Sequence, residues 1–97
     1  TEQGSICDAI VTPTPGEITF PILKALAGGG FAVSDDQTLR AMRYAFDTLK
    51  LVIEPGGAVA LAAALFADNL PSSDDLVVIV SGGNVDEAMF AKALTIS

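Results

Sequence analysis

Residues 76–86, LVVIVSGGNVD, constrain the fold of this chain more than any other stretch. Leu76 to Val80 form an apolar, β-branched run with no polar alternation, the pattern of a strand covered on both faces. Such a strand is central to a sheet, and one strand does not make a sheet. Its neighbours must come from elsewhere. The run then opens abruptly into Ser81, Gly82, Gly83 and Asn84, with Asp86 and Glu87 just beyond.

The rest of the chain reads mainly as helix. VTPTPG, residues 11–16, carries two prolines and a glycine and is expected to be an extended loop. A helix is expected from Thr19, with Pro21 tolerated in its first turn and Gly28, Gly29 and Gly30 ending it. Phe31 to Val33 form a short extended piece. Ser34 with Gln37 is a capping box, and Asp35 and Asp36 put negative charge at the positive end of the next helix. Leu39, Met42, Phe46, Leu49 and Ile53 recur at spacings of three and four, predicting one long amphipathic helix that Pro55 ends. Residues 57–67, GAVALAAALFA, are apolar on every side and predict a helix buried all round, whose alanines admit close neighbours. A last helix is expected over residues 86–94. Helix, helix, buried strand and helix give an α/β layer arrangement.

Composition sharpens this expectation. In a chain of 97 residues there is room for one domain at most. Hydrophobic residues make up 51% and charged residues 18%, more apolar than so small a body can hide. Apolar faces meant for a partner or for further chain are therefore expected. The net charge is −7 with only five Lys and Arg, so there is no basic patch for phosphates and nucleic-acid binding is not expected. No apolar run reaches membrane-spanning length, and no signal segment opens the sequence. Cys7 is the one cysteine, which rules out an intrachain disulfide, fits a reducing cytoplasm and reads as a small buried hydrophobe.

Two places invite chemistry. In open α/β sheets ligands collect where the carboxyl ends of strands meet helix N-termini, and Ser81 to Asn84 occupy such a place. The glycines let backbone approach a flat or anionic group, and Ser81 offers a hydroxyl that donates or accepts. The same loop also reads as a plain strand-to-helix turn in which Asn84 or Asp86 caps the last helix, and the pattern alone favours the turn. Glu54, followed by Pro55, Gly56 and Gly57, either points into a site or is a solvated helix end. The three glycines at 28–30 follow a helix, not a strand, and read as a surface connection more readily than as a phosphate loop. There is no histidine, hence no Ser/His pair or imidazole ligand, and the carboxylates lack the spacing of a metal loop. No catalytic residue and no metal site is assigned to this chain.

Three ordered motifs, TPGEITFPI (14–22), LKLVIEPGGAVALAAAL (49–65) and VSGGNVD (80–86), resemble the carboxyl-terminal portion of threonine dehydratases, in the branch that includes serine racemases and hydroxyaspartate dehydratases. The resemblance extends from SICDAI (5–10) to the end. It implies a tryptophan-synthase-like fold, with residues 1–97 forming the carboxyl-terminal part of the large cofactor-binding domain, a three-layer sheet domain incomplete in this chain. It implies pyridoxal 5′-phosphate as cofactor, with Ser81 hydrogen-bonding the pyridine nitrogen, Glu54 close to the ring, and Gly82, Gly83 and Asn84 shaping the wall of the site. The Schiff-base lysine and the phosphate-binding loop of the family lie upstream, in motifs without a counterpart here.

The resulting expectation is part of a cytoplasmic ammonia-lyase that turns a threonine- or serine-type β-hydroxy amino acid into a 2-oxo acid and ammonia, inactive without the remainder of its polypeptide. A homodimer is implied by the resemblance. The competing expectation is a freestanding interaction or regulatory module in which SGGN is an ordinary turn. A nucleotide-binding half-domain ranks last, because no glycine fingerprint follows an opening strand.

Overall fold

A computed structural model describes residues 5–10, 14–72 and 74–96. Residues 11–13 of the expected VTPTPG loop lie outside the described residues. A 3₁₀ turn at Asp8–Ile10 is followed by α1 (Thr19–Leu26), α2 (Asp35–Tyr44), a π-helical segment (Ala45–Leu49), α3 (Pro55–Phe66) and α4 (Glu87–Thr95).

Helix α2 starts where the capping box places it. The Ser34 hydroxyl accepts from the Gln37 N–H at 3.1 Å, and the Gln37 side chain accepts from the Ser34 N–H at 3.0 Å. Two N–H groups that have no partner within the helix are thereby satisfied. Asp35 is also bonded by the Ser5 hydroxyl (2.7 Å) and the Ile6 N–H (3.4 Å), which ties the amino-terminal segment to the same helix end. Thr38 is buried, and its hydroxyl donates to the Ser34 carbonyl.

The long helix expected through Ile53 is shorter. It ends at Tyr44, widens into the π segment, and is broken at Lys50, whose φ of 59° is left-handed. The Lys50 ammonium holds the Asp47 carbonyl at 2.8 Å, and the Leu51 N–H returns to the Ala45 carbonyl. Ile53 still reaches the core, but from the loop after this break. Periodicity therefore found Leu39, Met42 and Ile53 as buried positions, but Phe46 and Leu49 of the same stripe are exposed, because the backbone widens and breaks where a regular helix was expected.

Helix α3 packs mainly on α2, α4 also packs on α2, and the 3₁₀ turn meets α3. The core consists of Leu39, Ala41, Met42 and Ala45 against Ile53, Ala58, Leu61, Ala62 and Ala93. Most of these are alanines, so the helices approach with little side chain between them. Cys7 is buried at the edge, as a small hydrophobe. The expectation that α3 is covered all round is corrected. Gly57, Ala58, Leu61 and Ala62 are buried, whereas Ala60, Leu65 and Phe66 are exposed.

The expected α/β sheet is likewise not seen, since the described residues contain helices and no strand. Residues 76–80 are extended without a ladder, and Leu76, Val77 and Ile79 are 60%, 88% and 75% exposed. Val78 and Val80 alone lean on the core. A strand needs the N–H and C=O groups of a neighbour, and no described segment supplies them. Helix α1 meets none of the other elements, and Ile18, Leu23 and Leu26 beside or on it are open to solvent.

The surface totals reflect this openness. The accessible area is 6890 Å², against about 5,200 Å² for a compact protein of this mass. The radius of gyration is 14.1 Å, against about 13 Å for a compact domain of 100 residues. The expectation of uncovered apolar faces holds for the described chain.

Candidate functional site

Glu54 and the Ser81–Asn84 loop are 27 or more positions apart in sequence, and the fold brings them together. The contact is made through backbone. The Glu54 N–H donates to the Gly82 carbonyl at 3.2 Å, just where Glu54 precedes Pro55 at the start of α3. Proline in the first turn fixes φ and removes a donor that would lack a helical acceptor. Glu54 makes no capping bond with its side chain.

Three glycines make this approach possible. A Cβ on Gly57 would overlap the Ser81 carbonyl oxygen and lie 2.9 Å from the Gly82 oxygen. A Cβ on Gly82 would overlap Oε1 of Glu54, and Gly82 also has a φ of 75°, a left-handed conformation that L side chains adopt at a cost. A Cβ on Gly83 would be 2.6 Å from the Val52 carbonyl oxygen. The Glu54 carboxylate thus lies against Gly82, and the loop is laid flat along residues 52–57.

Beyond the glycines, the Val85 N–H turns back to the Gly83 carbonyl at 2.9 Å. Asp86 then caps α4, its carboxylate accepting from the Met89 N–H at 2.7 Å. The expectation that Asp86 caps the last helix is therefore met, and it coexists with the approach of Glu54. Ser81, Gly82, Gly83 and Asn84 are exposed, and the Ser81 hydroxyl has no hydrogen-bond partner among the described residues. Glu54 is half-buried. Glu54, Pro55, Asn84, Asp86 and Met89 line a cavity of ≈ 40 Å³. That volume suits a water molecule or two, not an aromatic ring.

The five residues singled out in the sequence, Glu54, Ser81, Gly82, Gly83 and Asn84, are thus brought into one place. Gly57 and the Val52 carbonyl complete the contact and were not among them. The sequence signal for Gly57 was the second glycine of EPGG: a glycine inside an otherwise strong helix-forming run marks close backbone approach. No group of three or more possible metal ligands occurs among the described residues. No helix among them is long and apolar enough to cross a membrane.

Residues 1–82 match the family of pyridoxal-phosphate dependent enzymes. The chain is 37% identical over 95 residues to a serine racemase from Dictyostelium discoideum, covering 96% of this chain and 29% of the relative. It is 33% identical over 90 residues to an L-threo-3-hydroxyaspartate ammonia-lyase from Pseudomonas, covering 93% of this chain and 28% of that protein. An ammonia-lyase of the same name from Saccharomyces cerevisiae is 30% identical over 91 residues, with 94% and 28% covered. No solved structure matches. This chain belongs to the pyridoxal-phosphate dependent enzyme family, whose cofactor is pyridoxal phosphate. It spans less than a third of the length of these curated relatives. Glu54, Ser81 and Gly82 fall inside the family match, and Gly83 and Asn84 just beyond it.

Proposed function

We propose that residues 1–97 are the carboxyl-terminal part of the large cofactor-binding domain of a dehydratase that converts a threonine- or serine-type β-hydroxy amino acid into a 2-oxo acid and ammonia. The observation that carries this reading is the junction of Glu54 with the Ser81–Gly83 loop in a chain of the pyridoxal-phosphate family.

The exposed site residues fit the cofactor. Ser81 presents an unpartnered hydroxyl, and two side-chain-free residues next to it leave backbone open to a flat ring. When bound, pyridoxal phosphate supplies the electron sink for bond cleavage at the α-carbon of an amino acid. In this reading the Ser81 hydroxyl hydrogen-bonds the pyridine nitrogen. Being neutral, it places no negative charge there and does not hold the nitrogen protonated as a carboxylate would. Glu54 lies beside Gly82 and fixes how far the loop stands from α3, and Asn84 borders the edge of the site. The lysine and the phosphate-binding loop belong to the remainder of the polypeptide, which also supplies the strands beside residues 76–80. The whole protein is a cytoplasmic homodimer.

A second reading, racemisation of serine, is favoured by the serine racemases among the relatives. Both reactions begin with loss of the α-proton. They diverge in whether the β-hydroxyl then departs or a proton returns on the other face.

The deciding experiment uses the full-length polypeptide. L-Threonine, L-serine and L-threo-3-hydroxyaspartate are supplied in turn, and 2-oxo acid and D-serine are measured beside the absorption spectrum of bound cofactor. Formation of 2-oxo acid, with a cofactor spectrum altered by Ser81→Ala, is the expected result. D-Serine without 2-oxo acid would select the second reading. Failure to bind the cofactor at all would sink both and leave the freestanding interaction module.

A further inference from the structure

Helix α4 is held at both ends. Its amino end follows directly from the Ser81–Asn84 loop through Val85 and the Asp86 cap. Its carboxyl end is held by α2, because a guanidinium N–H of Arg43 donates to the Ile96 carbonyl. The same guanidinium is braced from Asp47, one turn along, at 3.3 Å. A cation at the carbonyl end of a helix complements its dipole and satisfies acceptors left without helical partners. Three residues beyond Arg43, Phe46 packs edge-on against Phe90 of α4, with centroids 5.3 Å apart and planes at 84°. Phe90 in turn donates its N–H to the Asp86 carbonyl. A grip on α4 by Arg43 and Phe46 is therefore passed to Asp86, two residues beyond the loop.

On one side the loop rests on residues 52–57, through the close contacts at Gly57, Gly82 and Gly83 and the bond from Glu54 to Gly82. Its own side chains add no anchor, since Gly82 and Gly83 have none and Ser81 and Asn84 are exposed, so its other fixed end is α4. A short helix is stiff, so a shift at Ile96 moves Asp86 along the same axis, about 15 Å away at 1.5 Å per residue.

We propose that Arg43 is a positioning residue for the Ser81–Asn84 loop, acting through α4 and not by contact with any ligand. That this loop faces the cofactor rests on the function proposed above. The mechanical coupling itself does not, and the test separates the two.

Hydrogen exchange is measured in the full-length, cofactor-free polypeptide, comparing residues 81–86 with residues 92–96 in the unaltered protein, Arg43→Ala and Arg43→Lys. Loss of a charged hydrogen bond is expected to speed exchange at 81–86 about tenfold in R43A. R43K keeps a cationic donor without the planar fork and restores part of the protection. Should R43A fail to fold, Arg43→Gln, which keeps a neutral donor, replaces it in the same comparison. Faster exchange confined to 92–96, with 81–86 unchanged, would show that Arg43 merely fastens the helix end and would overturn the proposal. Cofactor spectra of R43A and Ser81→Ala form the second readout. A shared spectral change is expected. If Ser81→Ala is silent while R43A still loosens 81–86, the cofactor reading fails and the positioning role stands.

Discussion

Helix α3 and the segment 76–80 are both rich in apolar residues, yet α3 buries a face against α2 while the segment is largely bare. Met42, Ala45 and Ala62 are fully inaccessible, while Val77 is 88% exposed. The difference lies in where each backbone finds its hydrogen bonds. A helix satisfies its own N–H and C=O groups and then needs only an apolar face to pack. An extended segment satisfies none of its own and requires a neighbour. Helix formation and packing on α2 therefore go to completion within these 97 residues, whereas the segment most suited to a sheet interior remains half-packed through Val78 and Val80.

This contrast is best broken at its buried side first. Met42→Ala removes a fully buried side chain from the α2–α3 contact and is expected to destabilise the full-length polypeptide by about 2–5 kcal/mol in urea unfolding. A loss below about 1 kcal/mol would mean that the contact does not survive in the complete molecule. Gly57→Ala follows, with an expected loss of about 3 kcal/mol, because the new methyl meets backbone and cannot be evaded by a rotamer change. Its effect on cofactor retention should exceed that of Met42→Ala, since it separates α3 from the Ser81–Gly82 carbonyls.

The exposed side gives the sharper result. If neighbouring strands of the whole polypeptide cover residues 76–80, Val77→Ala costs about 1.5 kcal/mol there, the value of two buried methylene-sized groups. Thermal unfolding within about 0.5 kcal/mol of the unaltered protein would instead mean that the segment stays bare. Ser34→Ala, which opens the capping box of α2, has the smallest expected effect, about 1 kcal/mol. It should leave the cofactor spectrum unchanged, because the capping box bonds only Ser34 and Gln37 and makes no bond to the loop that would face the ring.

Much of the helical framework was legible in sequence because its signals are local. Ser34 with Gln37, Asp86 before the last helix, and the i, i+3, i+4 recurrence of Leu39 and Met42 each act within a few residues. The break at Lys50 was not legible. Lysine has no preference for a left-handed φ, and the conformation is held by the Asp47 and Ala45 carbonyls, a geometry that exists only once the turn has formed. The one-sided burial of α3 was equally hidden, since an all-apolar helix names no face.

The same division applies to the candidate site. Ser81, Gly82, Gly83 and Asn84 stood out as a loop, and Glu54 as a helix boundary, but spacing did not relate them. Their meeting depends on Gly57, Gly82 and Gly83 each leaving room for a backbone or carboxylate oxygen across the contact. The sequence by itself determined helix starts, the buried positions Leu39 and Met42, and the family, because these reside in short-range chemistry and ordered motifs. Only the tertiary structure decided which apolar residues are covered and which loops touch, because packing and hydrogen bonding between distant segments have no local signature.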